Sequence, residues 1–524
     1  MNLLEAILVS AIPLSFLPPF ILLAIAVSAF FRPGRRPGAL PRWSEMATLA
    51  AWLLSLGGLV QFVTGDLTPA DASRIVLRVD LISLTLAVLV SFIGWIVMRY
   101  SRTYLDGEAR EGAFHGLMLT ALSAVLVFVQ AGNLVVLTLA TMAAGFALKR
   151  LLLFYPQRPQ ARRASGKFSL IWHAGDIALA LAALLFAIAF ETVDLAGLTA
   201  AATGAGLGLA GTAAVVLLVI AAILKTAAFP LHGWLTEVME APTPVSALLH
   251  AGIINSGGVI LLATAPLIQM NAGAMSALVM IGGLTALFGA AVMLTQSAVK
   301  TSLAWSTVSQ MGFMLLQCGL GLWPLAMLHI IAHSLYKAHA FLSSGGAVSA
   351  VASIRRPGPV AVPGFAVVLR SFALAILLYA TIATGFTLVI GPKSAQALAM
   401  GAILIFGVAY LVAQGLADLA PADLTRRTVL ASVAAATAYF SFQAVATLVW
   451  GDVLPRAPVP GPLEWALVVL ALLSFGLVAI AQALFPLWAH HPSTAGLRVH
   501  IANGLYLNAV LDRAIGGFRT PKTN

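Results

Sequence analysis

Lys225 closes the apolar run GTAAVVLLVIAAIL and is followed by Pro230, Pro242 and Pro244, and then by His250 inside a second apolar run. Proline removes a backbone donor and interrupts a helix, so both ionisable groups stand beside breaks where backbone groups are also set free. Further along, LHIIAHSLYKAHAFLSSGG places His329, His333 and Lys337 at i, i+4 and i+8, which stacks three titratable groups on one helical face. That spacing suits a proton relay, because an imidazole with an unperturbed pKa near ~6.5 gives and takes protons near neutrality. Helix packing through buried histidines bonded to carbonyls is the alternative, and it holds more strongly for the lone His173 and His339; His115, close to an interface, reads as ordinary.

A metal site does not fit the same histidines. The HxxxH spacing presents two imidazoles, but no Glu follows the first as in HExxH and no third carboxylate or thiolate ligand is evident, so no metal or other cofactor is expected in this chain. Cys318 is the only cysteine, which excludes an internal disulfide. Glu237 and Glu240, just before Pro242, are candidates to pair with Lys225 or Lys300, with a solvated loop as the alternative. Lys149 and Arg150 end an apolar stretch, where long cationic side chains snorkel toward an interface.

The elements that must hold these groups are set by composition. Of 524 residues 60% are hydrophobic and only 9% charged, with a mean hydropathy of +0.99; soluble chains average about 25% charged residues. The chain is an all-α polytopic membrane protein. Stretches of at least the ~17 residues needed to span hydrocarbon number about fifteen, among them 133–155, 168–190, 211–228, 243–269 and 323–349. An ammonium near the bilayer centre costs about 2.5–3.5 kcal/mol even on lenient scales, so Lys225 must face a polar cavity or an ion path. Broken helices near the midplane are the design of transporters, whose freed backbone groups line such a cavity.

Charge supports this division. Connections after odd-numbered spans hold Arg32, Arg35, Arg36, Arg42, Arg99, Arg102, Arg110, Arg158, Arg162, Arg163, Lys167, Lys300, Arg355, Arg356, Arg426 and Arg427, whereas even ones hold Asp66, Asp71, Glu191 and Asp194 with Lys393 and Arg456, and Arg74 and Arg78 at the start of the third span. Lys and Arg in short connections favour the cytoplasmic side, so the N-terminus is expected in the periplasm and the C-terminus in the cytoplasm of a bacterial inner membrane. The net charge of +11 is then a topology signal and no nucleic-acid partner is expected. The first span follows Met1 to Ser10 without a basic n-region, so a cleaved signal peptide is not expected. One transmembrane domain is expected over 1–490, its ion-path core at about 75–350, with a cytoplasmic tail over 491–524.

The runs KTAAFPLHGWLTEVMEAPTPVSALLHAGIINSGG, VKTSLAWSTVSQMGFML and HIIAHSLYKAHAFLSSG resemble the antiporter-like, proton-conducting membrane subunits of respiratory complex I and of multisubunit cation/proton antiporters. The resemblance implies that fold. It also implies that Lys225 is the lysine of the broken seventh helix and His250 the histidine of the broken eighth; Lys300, His329, His333 and Lys337 match the connecting polar axis, and Asp80 and Asp176 match carboxylates of the third and sixth spans. Two stations depart from the pattern. NLVVLTLATMAAG puts Met142 where those subunits have a glutamate, and LLYATIATGFTLVI offers Tyr379, Thr381 and Thr384 but no late lysine. Asp176, the remaining carboxylate well inside a neighbouring span, is the candidate for the lost glutamate's role.

These departures, with PQRPQARRASGKF and the tail GLRVHIANGLYLNAVLDRAI, resemble the DabB family, membrane subunits of two-component bacterial inorganic-carbon accumulation systems. The resemblance implies a DabA partner, a cytoplasmic zinc protein with a carbonic-anhydrase-like site. It implies energy-coupled hydration of CO2 to bicarbonate, with H⁺ or Na⁺ flowing through this chain, which is then a transporter subunit and not itself an enzyme. A proton- or sodium-translocating subunit of a complex I-type or multisubunit antiporter is the alternative, and a membrane scaffold a third, though a scaffold would not need buried lysines.

Overall fold

The computed structural model describes residues 13–67, 76–346, 364–415, 422–484, 488 and 491–514. Asp71, Arg74, Arg355 and Arg356, used in the charge reading, lie outside them, as do the start of the first span and residues 515–524 of the tail. The apolar runs form α1 (Pro18–Phe30), α2 (Leu40–Val63), α3 (Leu81–Tyr104), α4 (Glu111–Val129), α5 (Leu134–Leu152), α6 (Pro159–Phe190), α7 (Gly208–Lys225), α8 (Thr243–Ala251) and α9 (Ser256–Ala263). There follow α10 (Ala272–Met293), α11 (Val299–Gly319), α12 (Trp323–Ser343), α13 (Phe365–Ile390), α14 (Ala395–Gly415), α15 (Ala422–Trp450) and α16 (Pro462–Ala483). Two short tail helices close the described chain, α17 (Ala495–Ala502) and α18 (Leu507–Ala514).

Counting α8 and α9 as one broken helix, eleven of these are long and apolar enough to cross a membrane. The other four are α1 and α14, apolar over shorter stretches, and α11 and α12, whose apolar residues are interrupted by Gln310, Gln317, His329, His333 and Lys337. Among the described residues eleven helices thus meet the length and apolarity needed to cross, fewer than the fifteen expected, in a multi-pass membrane protein.

The connections separate onto two faces. On one, Arg78 N–H donates to Gln130 O at 2.7 Å, Leu134 N–H to Val193 O at 3.0 Å and the Gln269 amide to Arg456 O at 2.8 Å, which ties together the connections after even-numbered spans. Helices that start here carry side-chain caps: Asp80, Asn133, Asp194 and Asn271 each accept from a backbone N–H three residues on. On the other face Gly112 N–H donates to Gly34 O at 3.1 Å, Arg110 to Phe154 O at 3.0 Å and Gln296 to Ala502 O at 3.2 Å, which gathers the basic odd-numbered connections and the tail. Among the described residues, the connections tied by these two sets of bonds lie on different faces, as the alternation of charge implies.

Glycine sets how closely the helices approach. Gly282 and Gly289 of α10 face Gly312 and Gly319 of α11, each pair seven residues apart, and a Cβ on any of the four would overlap backbone of the opposite helix. Small residues permit this backbone contact, which gives two lipid-embedded helices dispersion energy where the hydrophobic effect gives none. The Ser309 hydroxyl adds a bond to Ala286 O at 2.8 Å across the seam. Gly257 plays the same part between α9 and α7, where a Cβ would overlap Ala222 O. It brings the second half of the broken eighth helix against the turn before Lys225.

Candidate ion path

Lys225 is the last residue of α7. Ala227 takes a left-handed φ of 51° and Pro230 has no N–H to donate, so the helix cannot continue. The freed ammonium, fully buried, lies 2.7 Å from Asp176 Oδ1 and 4.0 Å from the centre of the Trp172 ring. Both partners come from α6, one turn apart. Asp176 is also buried and its oxygens are shared: Thr141 Oγ1 of α5 is 2.9 Å from Oδ1, and His173 Nδ1 is 3.2 Å from Oδ2. The Trp172 indole donates to Thr141 O at 3.0 Å, in a slot that exists because position 145 is glycine; a Cβ there would overlap the indole. Met142, at the position of the expected glutamate, points away from this site and is 43% exposed.

The second cluster lies where α8, α11 and α12 meet. His250 is buried one residue before α8 ends, its ring stacked on Phe341 at 4.3 Å between centres, with Nδ1 3.0 Å from Thr307 Oγ1. The break after Ala251 leaves the His250 carbonyl outside any helical bond, and His333 Nε2 donates to it at 3.1 Å. His333 Nδ1 is 2.6 Å from Gln310 Oε1, and the His329 ring is 6.1 Å from that of His333. Lys337 is buried and donates to Leu303 O at 3.1 Å and Ser306 Oγ at 2.8 Å; among the described residues no carboxylate lies within 4 Å of it. Asn255 crosses the break to bond Ser334 Oγ at 2.9 Å. The i, i+4, i+8 face is therefore real, and it meets hydroxyl, amide and carbonyl groups able to carry hydrogen bonds in either direction. A cavity of about 610 Å³ opens onto His329 and His333 between α11, α12, α14 and α16, its walls mostly apolar.

Other expected residues stand apart from these clusters. Glu237 pairs with neither Lys225 nor Lys300. It lies 2.6 Å from Lys167 Nζ and 3.8 Å from Arg163 Nε. The cause is that α6 starts at Pro159 and not near residue 168, so Lys167 lies in its third turn, buried, and requires carboxylates. Glu240 pairs with Arg158 at 3.1 Å on the exposed surface. Lys300, at the start of α11, donates to Thr243 Oγ1 at 3.0 Å. Asp80 closes a capping box with Ser83 at the head of α3 and lies 3.5 Å from Arg78. Lys149 is half-buried in the last turn of α5, beside Arg150, which lies 5.0 Å over the Phe146 ring. Sequence reading passed over Thr141, Trp172, Thr307, Gln310, Lys167, Asn508 and Asp512; the WxxxD spacing of Trp172 and Asp176 was the one local signal available.

A many-helix membrane bundle, with a lysine at one broken helix, a histidine at the next and a polar axis between further helices, defines the class of antiporter-like membrane subunits. The family described as "NADH:quinone oxidoreductase/Mrp antiporter, TM" matches residues 131–391, and "NADH-Ubiquinone oxidoreductase (complex I), chain 5 N-terminus" matches residues 71–115. Among solved structures, that of the Mrp complex from a Dietzia species aligns with a TM-score of 0.57 at 22% identity, covering 95% of this chain and 59% of that one, which shows the fold. Within that class two relatives are more similar. The probable inorganic carbon transporter subunit DabB2 of Halothiobacillus neapolitanus is 36% identical over 489 residues, 90% of this chain and 87% of the relative. The probable inorganic carbon transporter subunit DabB of Hydrogenovibrio crunogenus is 41% identical over 272 residues, 52% of each chain. The chain belongs to the DabB family.

Proposed function

We propose that this chain is the cation-conducting subunit, with H⁺ as the cation, of an energy-coupled inorganic-carbon transporter in a bacterial inner membrane. The observation that carries the reading is the buried Lys225–Asp176 pair, in a family whose relatives are named as inorganic carbon transporter subunits. A proton enters by His329, His333 and Lys337 and passes by His250 toward Lys225, with Lys300 at the head of the broken eighth helix. Protonated Lys225 is held by Asp176; when the proton leaves, the carboxylate turns to Thr141 and His173, which already touch it. The state of this pair is read at the basic face by a DabA-like cytoplasmic partner, to which the zinc and the hydration of CO2 belong. The N-terminus lies in the periplasm and the tail in the cytoplasm, in keeping with the basic connections.

The energy scale suffices. One proton crossing about 100–150 mV releases roughly 2.3–3.5 kcal/mol, enough for about a 50- to 300-fold gradient. The test is growth in air of a bacterial host lacking carbonic anhydrase, expressing this chain and the DabA-like protein. Rescue is expected to need both chains and Lys225, and carbon uptake to collapse on uncoupling. Absence of rescue despite good expression, with proton or sodium exchange in vesicles, would favour the antiporter reading to which the matched families also point.

A further inference from the structure

The tail turns its polar side inward. Asn508 Oδ1 lies 2.7 Å and Asp512 Oδ1 2.5 Å from Lys167 Nζ, the Asn508 amide donates to Glu237, and Asp512 is buried. Part of its apolar surface is turned outward: Leu505 is 46%, Tyr506 41% and Val510 64% exposed, whereas Ile501 packs against the hydrophobic core. A segment held to the bundle by its apolar side alone would bury these three as well. Its place is also particular. Gly504 sits against Trp305 and Asn508 against Gly233, so it lies beneath the ends of α6 and α11 and under the 226–242 connection, across the basic face. Apolar side chains presented at the aqueous end of a helix bundle mark a contact surface. Arg162, Arg163 and Arg513 are exposed around it.

We propose that segment 491–514 is the docking surface for a cytoplasmic protein whose contact patch is apolar at its centre and carries carboxylates at its edge. This rests on the reading of the chain as a subunit with such a partner and adds where the partner binds. The basic rim gives the charge complementarity, and the position under the helix ends favours a protein over acyl chains, which meet a bundle along its flanks. The same segment supplies a route for coupling. Val510 and Asp512 lie on opposite sides of the eight-residue α18, so a partner that holds one shifts the other. Asp512 and Glu237 share Lys167, and Glu237 belongs to the connection that joins Lys225 to the helix of His250.

The test is co-purification of the full chain with the co-expressed DabA-like protein. Leu505→Asp combined with Val510→Asp is expected to lower the captured partner at least tenfold, whereas Val459→Asp, exposed on the opposite face, leaves it unchanged. A benzophenone attached at Leu505→Cys in an otherwise intact chain, with Cys318 buried, is expected to cross-link to the partner, and this holds even if the double variant folds poorly. Wild-type capture with full retention by the double variant and no cross-link overturns the docking surface while leaving the subunit reading intact. Failure of the wild type to capture the partner overturns that reading, and the docking surface with it. Cross-linking in liposomes to lipid alone, unchanged by adding the partner, assigns the surface to the membrane and also overturns the proposal.

Discussion

The Lys225–Asp176 pair allows a quantitative test, because its two members are not equally provided for. At 2.7 Å and an effective dielectric near 20, the attraction is on the order of 6 kcal/mol, much of which offsets the desolvation of both groups. Removing one member of a buried pair generally destabilises by about 3–5 kcal/mol, since the other charge is left behind. Asp176→Leu leaves the ammonium with little beyond the Trp172 ring at 4.0 Å, worth about 0.5–2 kcal/mol, and is expected to reach that full range. Lys225→Met leaves Asp176 with Thr141 at 2.9 Å and His173 at 3.2 Å, and hydrogen bonds to a charged group are worth about 1.5–3 kcal/mol. Its cost is expected to be smaller, about 1–3 kcal/mol. In the double variant no charge is stranded, so it should be no worse than Lys225→Met and more stable than Asp176→Leu alone. The assay is equilibrium unfolding in mixed detergent micelles followed by circular dichroism, with transport measured in parallel. Single losses that add in the double variant would refute the pairing, and equal losses from the two single variants would refute the unequal provision argued here.

Other expectations follow from the same geometry. Gly145→Ala should push the Trp172 indole off Lys225 and destabilise by about 1–3 kcal/mol, visible as an unfolding shift and a change in tryptophan fluorescence. Lys337→Met, which loses bonds to a carbonyl and a hydroxyl and the Tyr336 ring at 5.4 Å but no carboxylate, should fold as stably as wild type to within about 1 kcal/mol yet abolish proton flux in vesicles; retained flux would remove Lys337 from the path. Asp80→Ala should cost about 0.5–2 kcal/mol through loss of the capping box while flux per folded molecule is unchanged, and a selective loss of flux would give Asp80 a direct part in conduction. Lys167→Met should leave the Glu237 and Asp512 carboxylates facing each other and release the tail, measured as faster proteolysis after residue 490.

What was legible in the sequence followed from cost. A buried lysine, a buried histidine or a carboxylate in an apolar run is expensive wherever it lies, so Lys225, Asp176, His250, His333 and Lys337 stand out by type alone, and the helical period puts the last two on one face. Glu237 stood out but was given the wrong partner, and Lys167 did not stand out as a site residue, because it sits in a polar stretch that reads as a connection. The first turns of α6, from Pro159 through Arg163, are too polar to count as span, yet they are helical and carry Lys167 inward. Its partners Glu237 and Asn508 are 70 and 341 residues away, and Asp512 lies further still, separations that no local pattern reveals. Thr141 was hidden for another reason: its neighbour Met142 holds the position of the missing glutamate, while the helix turns Thr141 toward Asp176.

The bond from His333 to the carbonyl of His250 bears on how such a molecule should be interrogated. That oxygen belongs to the main chain and persists whatever residue occupies position 250. A saturation scan would score the imidazole there and remain blind to the acceptor beside it. The acceptor half of the link is therefore independent of side-chain identity, whereas the donor half is lost with any substitution of His333. Replacing the amide at Ala251 by an ester, which weakens that carbonyl as an acceptor while sparing every side chain, is the chemical edit that reaches it.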